Sequence, residues 1–405
     1  MPSILPAPAF APALTVRSPA LDSHRLPVAA QIRLAVGEHA IAQLTVLTPV
    51  TADRQALEQS VPSSMIIADR TPVHFTYASS PADSYDFYGY VASHRKLSTQ
   101  GVSRIAGMVT LPVQYTLTGS SMPMQNAVSR SFLNTTGSAI ARQIAAANQL
   151  AAYVTPSPRI FPAKTQAAVS DFSFLQDLAA QVGFQCWVDN SLVYFVDPAV
   201  SIDPAGFSAP VLRRDMQPGV WDTLSAFEST VGETDPSGSY LTSYSANTLR
   251  SSSGQLATAS AIPTRTSPGA SAPPAFARVV KGSVASSYAE AQDIANAAMS
   301  TQRYWVSACA SCDGDTRLRP GRTVRLAGRA LPGADQGLWR ICQATHRITL
   351  DPLLKAHNTY HIDLELGRDQ EGALNLTSPR PVAPAPGAMV LSGSAWRAAF
   401  YGSGA

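Results

Sequence analysis

The stretch that most constrains this chain is residues 166–198, QAAVSDFSFLQDLAAQVGFQCWVDNSLVYFVDP. Ser170 or Asp171 can accept a hydrogen bond from the free amides of a first helical turn. Phe172, Leu175, Ala179 and Val182 recur at spacings of three and four, and Phe174 and Leu178 widen the stripe. Gly183 stands where a left-handed residue stops a helix. Phe184, Cys186 and Val188 then alternate on one strand face, Asp189-Asn190-Ser191 turns, and Leu192 to Val196 return. The segment predicts a capped helix running into a β-hairpin, and it carries no evident chemistry.

A chain of 405 residues can hold two or three domains with their own cores. Only 14% of its residues are charged, well under the usual quarter, and Ala, Ser, Thr, Pro and Gly fill the deficit. Such a surface depends on partners for cover. The formal net charge is +3 and no basic run is present, which argues against nucleic-acid specificity, since phosphate binding needs clustered Lys and Arg. No apolar run approaches the ~20 residues that span a bilayer, so membrane insertion is not expected. Residues 1–25 are broken by prolines, have no early basic region, and read as an extended arm, not a signal peptide.

Residues 30–120 read as short strands with turns between them. Ile32, Leu34 and Val36 alternate, Ile41 to Val46 return, and Val73–Tyr77 and Tyr85–Val91 alternate again. Gly89 inside the aromatic strand marks a bulge or a close backbone contact. Ile105–Thr110 and Val113–Leu117 continue the pattern. A second helix is predicted over Ala139–Leu150, with Ile140, Ile144 and Ala147 on one face and Pro156 and Pro158 as its stop. Beyond residue 201, strands are predicted at Val220–Phe227, Tyr304–Cys309 and Thr323–Leu326, the last after the Pro320-Gly321 turn. Leu338–Cys342 and His346–Thr349 read as paired strands. Tyr360, Ile362, Leu364 and Leu366 alternate strictly with His361, Asp363 and Glu365. Residues 287–299 read as a helix, 230–274 as a Ser/Thr/Pro-rich insertion too long for an ordinary loop, and 371–405 as an extended tail.

Chemistry is sparse. Cys309 and Cys312 have the CxxC spacing of half a zinc site or a redox pair and are the metal candidates, but no second pair completes a four-ligand set. Cys186 and Cys342 are isolated, and all four read as ordinary reduced cysteines. His74, His94, Asp83 and Asp86 cluster around the aromatic strand and read as solvated turn residues, not as a hydrolase centre. Asp363 and Glu365 share a strand face, as paired carboxylates of a glycosidase do, but a polar outer or interface face is the better reading. Neither GxSxG nor HExxH occurs, and no catalytic or cofactor-binding residue is assigned.

In order along the chain stand Ser170-Asp171, Phe174-Leu175, Leu178-Ala179 and Gly183 with their hairpin, the 287–299 helix, Leu318-x-Pro-Gly-x-x-Val-x-Leu-x-Gly328, Trp339–His346 and Tyr360–Asp369. This order resembles the tail hub proteins of bacteriophages and related contractile injection machines (late control D-like), and the N-terminal half of type VI secretion spike proteins. The resemblance covers roughly residues 25 to 370. It implies a mainly β fold with α/β inserts: two tube-protein-like β-barrels joined by a small α/β domain, assembling as a homotrimer with pseudo-sixfold symmetry. On that basis the expected divisions are an arm at 1–25, a first barrel at 26–125, an α/β insert at 126–200, a second barrel at 201–370 and a tail at 371–405.

The implied function is that of a structural, non-enzymatic hub. It adapts a sixfold tail tube to a threefold spike during tail assembly and host-cell puncture. Expected partners are its own copies, the tail tube hexamer, a separate spike trimer, baseplate wedge proteins and the tape measure protein. The expected place is the virion tail, after assembly in the host cytoplasm. The alternatives are a tail-tip cell-wall hydrolase and the tip protein of a non-contractile tail.

Overall fold

A computed structural model describes residues 12–17, 26–49, 66–80, 83–97, 103–105, 108–203, 207–218, 222–231, 240–244, 255–258, 278–279, 303–354 and 357–369, with 297, 300, 374 and 376. Nearly all of the tail expected at 371–405, most of the helix expected at 287–299 and most of the N-terminal arm lie outside the described residues.

The fold is mainly β. Among the described residues twenty-one strands and two full α-helices follow one another, and Ala297 and Ser300 are also helical. The first seven strands are β1 (Ala13–Arg17), β2 (Leu26–Ala35), β3 (Ile41–Pro49), β4 (Pro72–Ser80), β5 (Asp83–Lys96), β6 (Ser103–Ile105) and β7 (Met108–Gly119). The middle of the chain supplies β8 (Ala127–Thr136), α1 (Gly137–Ala147), β9 (Ala151–Val154), β10 (Ile160–Ser170), α2 (Asp171–Val182), β11 (Gln185–Asp189) and β12 (Leu192–Val196). Then come β13 (Val211–Arg213), β14 (Leu224–Val231), β15 (Tyr240–Tyr244), β16 (Gln255–Thr258), β17 (Arg278–Val279), β18 (Val306–Asp313), β19 (Thr323–Ala327), β20 (Gly337–Thr349) and β21 (Thr359–Arg368).

Thirteen of these strands form one sheet, in the order β1-β4-β5-β7-β3-β2-β20-β21-β18-β14, with β6 beside β7 and β19 joining β13 to β20. The seam between the two β-rich regions is the antiparallel pair β2–β20, in register from Ala29 opposite Thr349 to Ala35 opposite Gln343. One buried core accordingly draws Ile32, Phe75, Tyr115 and Leu117 from before the middle segment and Leu326, Trp339, Ile362 and Leu366 from after it. Period-2 alternation feeds that core, since successive strand residues face opposite sides. In β21 Tyr360, Ile362, Leu364 and Leu366 are buried, as their spacing predicts. Gly89 marks a close approach: a Cβ there would stand 2.6 Å from the Thr118 carbonyl oxygen.

Residues 127–196 form an insert with a separate core. The ribbon β8–β10 and the three-stranded sheet β11-β12-β9 enclose α1 and α2. Helix α2 is the one the sequence marks. The Ser170 side chain accepts from the Ser173 amide, and Gly183 ends the helix at φ 74°. Phe172, Phe174, Leu175, Leu178 and Ala179 are buried, and Val182 is half-buried. Asn190, at φ 56°, turns the following hairpin.

Several local expectations shift. Helix α1 starts at Gly137 under a Thr136 cap and ends at Ala147, before β9, so Pro156 and Pro158 do not stop it. Ala147 is exposed, and Ala141 and Ala145 fill the buried face beside Ile140 and Ile144. The stretch Ile105–Thr110 is not one strand, since β6 ends at Ile105 and β7 starts at Met108. The strand expected at Val220–Phe227 runs over Leu224–Val231, and the one expected at Tyr304–Cys309 runs over Val306–Asp313. Leu338–Cys342 and His346–Thr349 are not two paired strands. They are one, β20, whose register shifts between Ile341 and Gln343. A bulge absorbs one residue without ending a strand, which explains the broken alternation there. Within the expected insertion β15 and β16 pair with each other, and β17, just beyond it, pairs with β15.

Candidate assembly surface

The sheet turns one face to the core and the other outward, and the outward face is a cross-strand polar ladder. Arg347 on β20 reaches Asp363 on β21 at 2.8 Å, and Asp363 accepts from Ser311 on β18 at 2.8 Å. Across the seam, Arg33 on β2 donates to Gln343 on β20 at 2.9 Å, and Gln343 donates to Glu365 on β21 at 3.0 Å. Gln114 on β7 meets Gln43 on β3 at 3.4 Å. Asp363 is held below the ordinary carboxylate range. Its partial burial opposes this shift, but hydrogen bonds from Ser311 and Arg347 outweigh it. A groove of about 410 Å³ lies over this face between Glu228, Cys309, Gln343 and Glu365. Asp363 and Glu365 thus belong to a polar face whose side chains partner one another.

Cys309 and Cys312 lie inside β18, not at a turn, and their i, i+3 spacing puts them on opposite faces: Cys309 is exposed and Cys312 buried. Burial drives the Cys312 thiol up, and nearby Asp313, Asp315 and Asp363 add to the shift. Burial likewise raises the Cys186 thiol to about 12 and the Cys342 thiol to about 11. Among the described residues no group of three or more His, Cys, Asp or Glu side chains comes together to hold an ion.

The His/Asp group around the aromatic strand is not in a turn. Asp83 and Asp86 lie in β5, and His74 lies in β4. His74 Nε2 is 3.1 Å from Asp86 Oδ1 and its ring stacks on Tyr88, while His94 lies 3.7 Å from Asp69. These are cross-strand and strand-to-turn pairs with two different acids, not one convergent centre.

The sheet ends laterally at β1 and β14. Among the described residues β1 pairs only with β4, and β14 only with β18. Backbone donors and acceptors along such edges are templates for a further strand. The ribbon β8–β10 is also outward-facing, with Leu133 69% and Ile160 63% exposed.

Sequence reasoning missed the polar junction between insert and sheet. Asp189, at the end of β11, is buried and accepts the hydroxyl of Tyr85 from β5. Arg319, just before β19, stands 3.6 Å from the same carboxylate. Asp189 reads locally as a turn residue. Its one sequence signal is a charged residue ending an apolar strand.

Among the described residues this is a β-rich body with polar groups paired along its outer face and end strands β1 and β14 each pairing on one side. The fold is that of phage tail proteins. It is similar to the tail protein from Neisseria meningitidis MC58 (12% identity, TM-score 0.58, covering 89% of this chain and 97% of that one). It is also similar to the 43 kDa tail protein of prophage MuSo2 from Shewanella oneidensis (10% identity, TM-score 0.56, 88% and 98% covered). A third similar structure is the E. coli c3393 protein, a component of the type VI secretion system (12% identity, TM-score 0.51, 87% and 76% covered). No curated protein matches the sequence. The profile of the phage tail baseplate hub family (GPD) matches residues 71–352, and the chain belongs to that family.

Proposed function

We propose that this protein is the structural hub of a phage tail baseplate, acting as a homotrimer that adapts a sixfold tail tube to a threefold spike. In this reading the regions 26–125 and 201–370 are two tube-like units of each copy, and three copies present six. The supporting observation is the single sheet that runs through both regions across β2–β20 and, among the described residues, ends at β1 and β14, each paired on one side. In this reading a ring forms when the end strand of one copy pairs with an end strand of the next, which closes the assembly and removes sheet edges. The low charge of the chain suits this, because interface cores are depleted of charge. Its work is mechanical, with no catalytic step. The tail tube, a separate spike trimer, wedge proteins and the tape measure protein are its partners, and it is assembled into the virion tail in the host cytoplasm.

The test is the mass of the purified protein, alone and mixed with the tube and spike proteins of the same phage. A trimer that captures both is expected. A persistent monomer that binds neither overturns the reading.

A further inference from the structure

Insert and sheet meet over an apolar joint of Trp187, Val196 and Ile202, against which Val36, Tyr153 and Tyr194 pack. Apolar contacts of this kind are non-directional and tolerate small slides. Directional contacts also cross it: Gln176 of α2 donates to the Gly37 carbonyl oxygen in a half-buried bond, and a charged, buried one stands at Asp189. Tyr85 from the first β region donates to Asp189 of the insert, and Arg319 from the second β region faces the other carboxylate oxygen at 3.6 Å. The Arg319 guanidinium also lies over the Tyr85 ring, 4.7 Å from its centroid. Three segments separated by more than a hundred residues each thus contribute one group to a buried cluster, with Tyr77 packed on Tyr85 behind it at 5.3 Å. Burial pushes both phenols well above their ordinary range, and the Asp189 charge adds to the shift, so Tyr85 remains a donor.

A buried ion pair is weak support for stability, because desolvation offsets the attraction, but it penalises any arrangement that separates its members. We propose that Asp189 is a positioning residue that fixes the angle of the insert on the sheet, contributing orientation more than folding free energy. The consequence is mechanical. The ribbon β8–β10 packs on the insert through Phe132 and Phe161, so this angle sets where its exposed Leu133 and Ile160 point. The proposal goes beyond the hub reading and does not depend on it.

The test is a pulsed EPR distance between spin labels at Ser131 on the ribbon and Gln43 on the sheet, both exposed. It is made in a chain carrying Cys309→Ser and diluted with unlabelled chain, so it reads one copy whether or not a trimer forms. The parent is expected to give one narrow distance. The double variant Asp189→Leu/Arg319→Met, which replaces both charges by apolar groups, is expected to keep its unfolding midpoint while the distribution broadens or moves. Tyr85→Phe removes only one hydrogen bond and is expected to broaden it less. An unchanged narrow distance in the folded double variant overturns the proposal. If the double variant does not fold, stability and not orientation depends on the pair, which also overturns it. An unchanged distance in Tyr85→Phe alone removes that hydroxyl from the clamp.

Discussion

Leu34 on β2 stands directly opposite Ala344 on β20, and both are buried in the same core. The pair joins residues from the two β-rich regions, with the whole insert between them in the chain. Unfolding either region alone would expose apolar surface of the other, so the sheet should behave as one cooperative unit.

Ile32, fully buried on β2 and opposite His346, reports this coupling. Ile32→Ala is expected to cost about 2–5 kcal/mol. Hydrogen exchange read strand by strand should show protection falling by the same amount in β3 and β21. A loss confined to β3 and β7 would show that the regions unfold independently.

His346 sets an acid limit. Burial lowers its pKa to about 3, with Arg319 adding to the effect, and its Nδ1 lies 2.8 Å from the Tyr360 hydroxyl. The folded pKa lies below the unfolded value near 6.5. The neutral ring's contribution is therefore complete above that value and is lost as pH falls toward 3. Urea titrations of the parent and His346→Gln should show a stability difference that shrinks by a few kcal/mol over that window. A difference independent of pH would contradict it.

Gly328 has φ 133°, and a Cβ there would lie 2.1 Å from the Arg214 carbonyl oxygen. Backbone cannot yield as a side-chain end does. Gly328→Val is expected to abolish soluble folded protein, and Gly333→Ala, where nothing lies within 4 Å, is expected to leave solubility unchanged. Phe174→Asp should fail as Gly328→Val does, because it places a carboxylate in the insert core beside Phe132. Recovery of folded protein from either failing variant, by circular dichroism and gel filtration, would refute this.

Ser170 accepts the Ser173 amide at 3.1 Å. Ser170→Ala is expected to destabilise the insert by about 1 kcal/mol, read as a shift in the urea midpoint at constant slope. An unchanged midpoint would mean that Asp171 or solvent takes over the cap.

What the sequence determined by itself is what neighbouring residues decide. Helix α2, its Ser170 cap and its Gly183 stop were legible because the bonds that make them close within four residues. The inward set of β21 was legible because a strand's faces alternate with period two, and the resemblance to tail hubs rested on the order of such local signals. Tertiary structure decided which strand lies beside which, since backbone hydrogen bonds between strands carry little side-chain code. It joined β2 to β20, made β20 one bulged strand, and put Cys309 and Cys312 on opposite faces of β18, which runs four residues past the strand expected at Tyr304–Cys309. It also brought Tyr85, Asp189 and Arg319 together, because a buried charge finds its partner in space and leaves no periodic trace along the chain.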